Sequence, residues 1–350
     1  MTAKPIATAQ ILTGIAAAMA LLYYLSGILV PLVIAFVLVV LVDALTVFIT
    51  GQWPKAPGWV ISAITGLVVI LLAAGGMFVL AQGAAQMVQQ GPALLERIDG
   101  LVQQFGQSFG LDRPLHLQSI VGSVSIPQIA GSILSAVQGI AGAILLIVIY
   151  FGFMLAGRRR MGEKVDVIAE TSDRRTAIKD IIEHIAADIR TYLWVQAVTG
   201  VMLAAAAAAV MLIVDLDNVP FWTIIFFLLT FIPNIGVTIG SVAPALFALL
   251  QFTTVWPAVA IFIVIQVVAV VVGNFIYPKM QADTQNIDPV TTIVALSLWT
   301  FLWGIPGAFL AVPMTLMLMM AFAQFESTRW VAAALSNDGK PTFRKSGAGQ

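Results

Sequence analysis

Cysteine is absent from this 350-residue chain, and charged residues are scarce. The lack of cysteine excludes disulfides and thiolate metal sites. Charged residues make up only 10% of the sequence and hydrophobic residues 60%, whereas an ordinary soluble domain has roughly 25% charged residues. Such a chain could not cover its own surface in water. The composition therefore predicts an all-α, polytopic transmembrane helix bundle in contact with the lipid bilayer.

The sequence also lacks two of the usual signatures of enzymes. It has no His-Glu-x-x-His and no Gly-x-x-x-x-Gly-Lys-Ser/Thr motif, so we predict no catalysis, no ATP hydrolysis and no cofactor. An intramembrane hydrolase built from scattered residues is the alternative. Asp180, His184 and Asp188 recur every four residues, as metal ligands on one helix face would. Basic residues at helical spacing on that face favour an ion-paired surface over a metal site. No feature calls for a nucleic-acid partner.

Long apolar runs fill most of the chain. A helix needs about 20 apolar residues to cross a bilayer core of about 30 Å. Six runs meet this requirement, at 6–25, 28–49, 59–80, 133–155, 192–214 and 256–277. Only Ser26 and Gly27 separate the first two, so we expect a tight helical hairpin there.

Two further apolar regions, 221–250 and 289–325, are too long for one comfortable span. Proline and glycine interrupt the first between Pro233 and Gly236, and the second between Gly304 and Gly307. Each region is either a kinked, tilted helix or a re-entrant helical hairpin. We therefore expect about eight membrane segments, two of them broken or re-entrant.

Basic residues predict the orientation, because Lys and Arg accumulate in cytoplasmic loops. Segment 157–190 carries eight of them, so we assign it and the N-terminus to the cytoplasm. The predicted regions are spans 1–3 at 1–80, an external amphipathic segment at 81–130, span 4 at 131–156, the basic cytoplasmic segment at 157–190, a C-terminal transmembrane region at 191–326, and a disordered cytoplasmic tail at 327–350.

The external segment has apolar residues at helical spacing with glutamines between them, which is typical of an amphipathic helix. Ile98, Val102 and Phe105 lie on its apolar face. This face could rest on the membrane, cover the bundle, or meet a second copy of the chain in a homo-oligomer.

The interruptions are the strongest functional feature, because freed backbone groups at membrane depth are tolerated only inside protein or beside a water-filled cavity. Polar residues within spans are costly and are further candidates. The predicted transport pathway comprises Pro233, Asn234, Gly236, Gly240, Gln266, Asn274, Gly304, Pro306 and Gly307. Interhelical hydrogen bonding is the alternative role for Gln266 and Asn274.

Three carboxylates, Asp43, Asp215 and Asp288, are candidates for binding an ion or a proton. The alternative for Asp43 is that it reaches the membrane interface. For Asp215 and Asp288 the alternative is a solvated loop position.

Around the interruptions the sequence resembles the autoinducer-2 exporter family of bacterial permeases. The resemblance rests on Phe231-Ile232-Pro233-Asn234-Ile235-Gly236 with Gly240 and Pro244, on Tyr277-Pro278-Lys279 with Asp288-Pro289, and on Gly304-Ile305-Pro306-Gly307 with Ala311-Val312-Pro313. It implies a multi-pass transporter of the bacterial inner membrane that forms a homo-oligomer. It also implies a function in autoinducer-2 export or in cation/proton antiport.

The leading hypothesis is thus a secondary transporter that moves a small solute, or a cation in exchange for protons. An oligomeric channel, or a membrane scaffold that acts through the external helix without transport, are the alternatives.

Overall fold

The computed structural model describes residues 3–53, 57–108, 142–157, 166, 172–233, 235–281 and 287–339. Regular structure within them is helical apart from one isolated β-bridge, Ile287 to Ser336. The helices are α1 (Ala3–Tyr24), α2 (Ser26–Gln52), α3 (Gly58–Ser108), α4 (Gly142–Gly157), α5 (Ser172–Ile213), α6 (Val219–Thr230), α7 (Gly236–Gln251), α8 (Trp256–Val271), a π-helix (Val272–Ile276), α9 (Tyr277–Gln281), α10 (Pro289–Ala323) and α11 (Arg329–Leu335).

Five helical stretches are long and apolar enough to cross a membrane: Ser26–Gln52, Val60–Ala93, Ala186–Ile213, Trp256–Met280 and Pro289–Ala323. Four shorter apolar helices accompany them: Ala9–Tyr24, Gly142–Gly157, Val219–Thr230 and Gly236–Gln251. The prediction of a polytopic helical bundle is confirmed. Residues 133–141 of the predicted fourth span lie outside the described residues.

The predicted hairpin between the first two spans is wrong, because α1 and α2 meet at a bend. Leu25 alone interrupts the helix, with φ −89° and ψ 7°. Its N–H still donates to the carbonyl of Leu21, and its own carbonyl accepts from Leu29 N–H. Antiparallel helices need a connection of about 2–5 residues. Ser26 and Gly27 belong to α2 and form no turn.

The contacts divide the chain into two compact units. The first comprises the described residues within 1–69, 143–197 and 278–350. Its α2 buries a stripe at helical spacing, formed by Pro31, Ala35, Val39 and Val42, and packs against α10. Phe48 of α2 also stacks on Trp194 of α5, with ring centroids 5.0 Å apart.

The second unit comprises the described residues within 70–142 and 198–277. Its apolar core joins α6, α7 and α8 to the end of α5, around the fully buried Met211, Phe226 and Ile261. Leu80 and Met87 of α3 pack against this core. The unit therefore holds the interrupted region 221–250 within a set of well-packed apolar helices.

In the basic segment, Asp166 precedes α5 and lies 2.6 Å from the Lys179 ammonium and 3.6 Å from the Arg175 guanidinium. The hydrogen bond from Lys179 and the two positive charges hold the pKa of the Asp166 carboxyl below its usual value, against a smaller opposing effect of desolvation. The acidic residue thus offsets part of the positive charge of this segment.

Candidate functional site

The first interrupted region is a helical hairpin. Helix α6 ends at Thr230, and Gly236 begins α7. A Cβ on Gly236 would overlap the carbonyl oxygen of Leu229, and a Cβ on Gly240 would overlap the ring of Phe226. Later residues of α7 thus meet earlier residues of α6, which is the pairing of antiparallel helices. Glycine fits Gly236 because the two backbones approach so closely there, and it fits Gly240 because the buried ring of Phe226 fills the space that a side chain would need.

The tip of this hairpin is a tight turn. Phe231 N–H donates to Leu228 O, Ile232 N–H to Leu229 O, and Ile235 N–H to Pro233 O. The carbonyl end of α6 and the N–H end of α7 therefore lie side by side at the tip, with Pro233 between them. Asn234 lies outside the described residues.

The open end of the first hairpin, opposite its tip and here called its mouth, is joined to the end of α5 by hydrogen bonds. The Gln251 amide donates to the carbonyl of Asp215 (2.9 Å) and accepts from Asp217 N–H (2.8 Å). Asp215 is exposed and has φ +60°. Because the start of α6 and the end of α7 lie at one end of the unit, the hairpin enters and leaves on the same side. Its limbs are about 18 and 24 Å long, too short to cross about 30 Å of hydrocarbon.

Replacing Gln251 with leucine should loosen this mouth, because both hydrogen bonds to the Asp215–Asp217 turn would be lost. We expect a loss of roughly 1 kcal/mol, since hydrogen bonds contribute about 0.5–1.5 kcal/mol each and these are exposed. Hydrogen exchange of the Asp217 amide should accelerate. Gln82→Leu is the matched control, because this exposed glutamine makes no hydrogen bond to the described residues. Equal hydrogen-exchange protection of the Asp217 amide in wild type and Gln251→Leu would contradict this role of Gln251.

Polar residues of the second unit surround the same hairpin. Ser241 of α7 is fully buried and donates to Thr238 O, and Gln266 of α8 donates to the Ser241 hydroxyl at 3.3 Å. Gln266 therefore meets the hairpin as an interhelical partner. Asn274 is exposed, lies in the π-helix and donates to Val270 O. The structure thus joins Gln266 to the hairpin and leaves Asn274 on the surface of its own helix.

The second interrupted region also folds back on itself. Gly304 has φ +63° and ψ −140°, which breaks α10 into two limbs. Trp299 Nε1–H donates to Thr315 Oγ1 at 3.2 Å, although the two residues are 16 positions apart. In a straight helix they would be about 24 Å apart. Both regions are therefore hairpins, which decides between the two alternatives that the sequence left open.

Gly307 closes the second tip as Gly236 closes the first. A Cβ on Gly307 would overlap the carbonyl oxygen of Trp299, so the returning limb packs directly on the backbone of the entering limb. Pro306 is exposed at the start of the returning limb, where a helix tolerates proline because its missing N–H would have no partner. The rings of Trp299 and Trp303 pack beside the tip, with centroids 5.0 Å apart and planes tilted by 50°.

The bend at Leu25 has a function in this packing. Trp303 Nε1–H donates to the carbonyl of Leu22 at 2.9 Å. That carbonyl lies one turn before the first residues of α2, where the helical hydrogen bonding is interrupted. The first helix is thereby joined to the tip of the second hairpin.

At the mouth of the second hairpin, Asp288 is the N-cap of α10. Its carboxylate accepts from Val290 N–H (2.9 Å) and Thr291 N–H (3.1 Å), and its own N–H donates to Leu335 O. These contacts give Asp288 a structural role in beginning the helix. They also bring the end of α11 to the start of α10, so this hairpin too enters and leaves on one side.

Comparison with known proteins identifies the family. Residues 12–327 match the family described as AI-2E family transporter. The chain belongs to the AI-2E transporter family. Similar relatives include a predicted transport protein of Haemophilus influenzae, 24% identical over 69% of each chain. Two others are from Escherichia coli K12: the AI-2 transport protein TqsA, 22% identical over 70% of each chain, and the predicted transport protein YhhT, 28% identical over 53% of this chain and 52% of its own.

Membership of the AI-2E family establishes a membrane transport role, and the resemblance found in the sequence is confirmed. The remaining predicted site residues fall as follows. Asp43 of α2 faces Arg190 of α5 at 3.9 Å. Ile98 is partly buried, while the side chains of Val102 and Phe105 lie outside the described residues.

Sequence reasoning missed three side chains that hold this AI-2E structure together: Gln251, Trp299 and Trp303. Each makes its hydrogen bond to a residue at least 16 positions away. A polar residue at the end of an apolar run, as Gln251 is, was the one available signal. Arg97 of α3 donates to Phe252 O at the mouth of the first hairpin, so α3 contacts the hairpin at that point.

Proposed function

We propose that the protein is a secondary transporter of the bacterial inner membrane, and that the tip of each helical hairpin contributes to the path of the solute. The observation that carries the proposal is that both interrupted regions turn back within the apolar part of the chain. Irregular backbone at that depth requires surrounding protein or a water-filled cavity. Discontinuous helices of this kind are the usual apparatus of a transport site.

Each tip offers suitable groups for a small polar solute. The carbonyl end of one limb carries partial negative charge, and the N–H end of the next carries partial positive charge. Pro233 and Gly236 lie at the first tip, and Gly304, Pro306 and Gly307 at the second. Neither hairpin contains an ionisable side chain, so both tips would recognise the solute through backbone and neutral polar groups.

The solute we propose is autoinducer-2 or a molecule of similar polarity. The support is the relative TqsA, whose name specifies AI-2 transport, and the neutral, hydrogen-bonding character of the tips. The chain has no Gly-x-x-x-x-Gly-Lys-Ser/Thr nucleotide motif, so an ion or solute gradient supplies the energy. The eight basic residues of 157–190 support an orientation with this segment and the N-terminus in the cytoplasm.

The absence of cysteine makes a direct test of this path possible, because one introduced thiol is the only thiol in the protein. In vesicles containing purified protein, Pro233→Cys should react with a membrane-impermeant maleimide. Autoinducer-2 should slow this reaction, and the flux of autoinducer-2 should be lost once the thiol is labelled. Leu246→Cys is the matched control, because this exposed side chain lies on α7 of the same hairpin and should face lipid.

Three results would contradict the proposal. One is equal labelling of Pro233→Cys and Leu246→Cys. Another is labelling that autoinducer-2 does not slow. The third is wild-type flux equal to that of empty vesicles. Saturable flux supports a carrier, and flux far above carrier rates would instead indicate the channel alternative.

A further inference from the structure

An uncharged polar pair lies deep within the apolar helices of the second unit. Gln266 lies ten residues after Trp256, where α8 begins, and Ser241 lies ten residues before Gln251, where α7 ends. Both are therefore about 15 Å from the mouth of the first hairpin, half-way across a hydrocarbon core of about 30 Å. Polar side chains at this depth are costly and mark solute pathways in membrane proteins.

The hydrogen bonds of this pair determine which way the Gln266 amide faces. Ser241 is fully buried, and it donates its one hydroxyl hydrogen to Thr238 O at 2.9 Å. The Ser241 oxygen can therefore only accept a hydrogen bond from the amide, so Gln266 presents its Nε2 to it, at 3.3 Å. The other end of the amide, Oε1, consequently faces away from Ser241.

Most of the hydrogen-bonding capacity of Gln266 is left for a ligand. Its side chain is half-buried, and the bond to Ser241 is the one hydrogen bond that it makes within the described part of the chain. Its Oε1 and its second Nε2–H have no protein partner there. An unpaired amide in apolar surroundings costs free energy, so a solute, or the water in its path, supplies the missing partners.

The free groups of Gln266 suit one chemical class of solute. Oε1 accepts a hydrogen bond and Nε2–H donates one, and a hydroxyl group can do both. Residues 219–271, which include the first hairpin and α8, contain no ionisable side chain. A charged solute at the centre of the bilayer would therefore find no counter-charge in this segment, and its desolvation would cost more than hydrogen bonds to one amide contribute.

We propose that Gln266 is a specificity-determining residue that binds a hydroxyl group of an uncharged, hydroxylated solute at the centre of the membrane, with Ser241 as its positioning residue. The inference rests on the proposed transport function and extends it. At the hairpin tips backbone groups meet the solute, whereas Gln266 adds a side chain from the neighbouring span. Ser241 contributes by holding Nε2, which keeps Oε1 turned toward the solute.

The first test measures the initial flux of autoinducer-2 against its concentration, with full-length protein in vesicles. Gln266→Leu removes both hydrogen-bonding groups and keeps a side chain of similar size. The half-saturating concentration should rise about tenfold, which corresponds to about 1.4 kcal/mol or roughly one hydrogen bond, while the maximal rate is retained. Ser241→Ala should raise it by a smaller factor, because the amide remains but is no longer oriented.

Val267→Leu is the matched control for Gln266→Leu. It introduces the same side chain at the next position, which is 56% exposed. The half-saturating concentration and the maximal rate of Val267→Leu should both match wild type.

A binding measurement separates recognition from packing. Autoinducer-2 should raise the midpoint of thermal unfolding in wild type, because a ligand that binds the folded state stabilises it. In Gln266→Leu the same rise should need about ten times more autoinducer-2. If Gln266 serves packing alone, the midpoint without solute falls but its dependence on autoinducer-2 is unchanged, and the inference is overturned. Ser241→Ala provides the same comparison if Gln266→Leu does not fold.

Competition experiments test the class of solute. Arabinose and arabinonate carry similar hydroxyl groups, and only arabinonate is charged. Arabinose should slow autoinducer-2 flux in wild type more than arabinonate does, and this difference should disappear in Gln266→Leu. Equal slowing by the two in wild type, or an unchanged half-saturating concentration in Gln266→Leu, would overturn the inference and leave the transporter proposal intact. Wild-type flux equal to that of empty vesicles would instead remove the proposed function itself.

Discussion

Replacing Gly236 with alanine should reduce autoinducer-2 flux in vesicles to the level of empty vesicles and lower the midpoint of thermal unfolding. The added Cβ would overlap the carbonyl oxygen of Leu229 and approach Ile232 Cβ at 3.3 Å. Leu229 O already accepts from Ile232 N–H in the turn, so the tip cannot yield without losing that bond. Overpacking of this kind costs typically 1–3 kcal/mol.

The control for this variant is Gly273→Ala in the same unit. A Cβ at Gly273 meets nothing within 4 Å, and alanine at a compatible site is neutral or stabilises by about 0.4–1 kcal/mol. Flux and the unfolding midpoint should therefore match wild type. If Gly236→Ala unfolds at a lower temperature but transports normally, the first tip serves packing alone.

The positions of the two interruptions could be predicted from the sequence, because proline and glycine end helices through local chemistry. Their shapes could not. A kinked helix and a hairpin need the same residues at the break. What separates them is contact between residues far apart in the chain, such as Trp299 with Thr315 or Gly240 with Phe226. These contacts depend on how the limbs pack.

The same reason explains the error at Ser26 and Gly27. Their small side chains are compatible with a turn but do not require one, and both residues adopt helical geometry. The bend falls instead on Leu25, and the helical hydrogen bonding is interrupted near Leu22. The Leu22 carbonyl accepts a hydrogen bond from the Trp303 indole. A partner 281 residues away leaves no trace in the local pattern. The Arg190 partner of Asp43 was hidden for the same reason.

Replacing Gly304 with alanine should abolish flux through a different physical effect. A Cβ at Gly304 meets nothing within 4 Å, so there is no clash. The backbone itself, at φ +63° and ψ −140°, is close to a region that only glycine adopts readily, and strain of this kind costs about 1–3 kcal/mol. We expect a lower unfolding midpoint and flux equal to that of empty vesicles. Gly152→Ala, in α4 of the same unit with equally open surroundings, should leave both unchanged.

Comparison with Gly307→Ala separates conformation from packing at this tip. Gly307→Ala introduces an overlap with Trp299 O and leaves the turn at Gly304 free to form. If the turned backbone at Gly304 alone is what transport requires, Gly304→Ala loses flux and Gly307→Ala retains it. If transport requires both the turn and the close contact between the limbs, both variants lose flux. If only the close contact between the limbs matters, Gly307→Ala loses flux and Gly304→Ala retains it. Wild-type flux and stability in Gly304→Ala would show that the protein can function without the second turn, and the pathway would then have to be placed elsewhere.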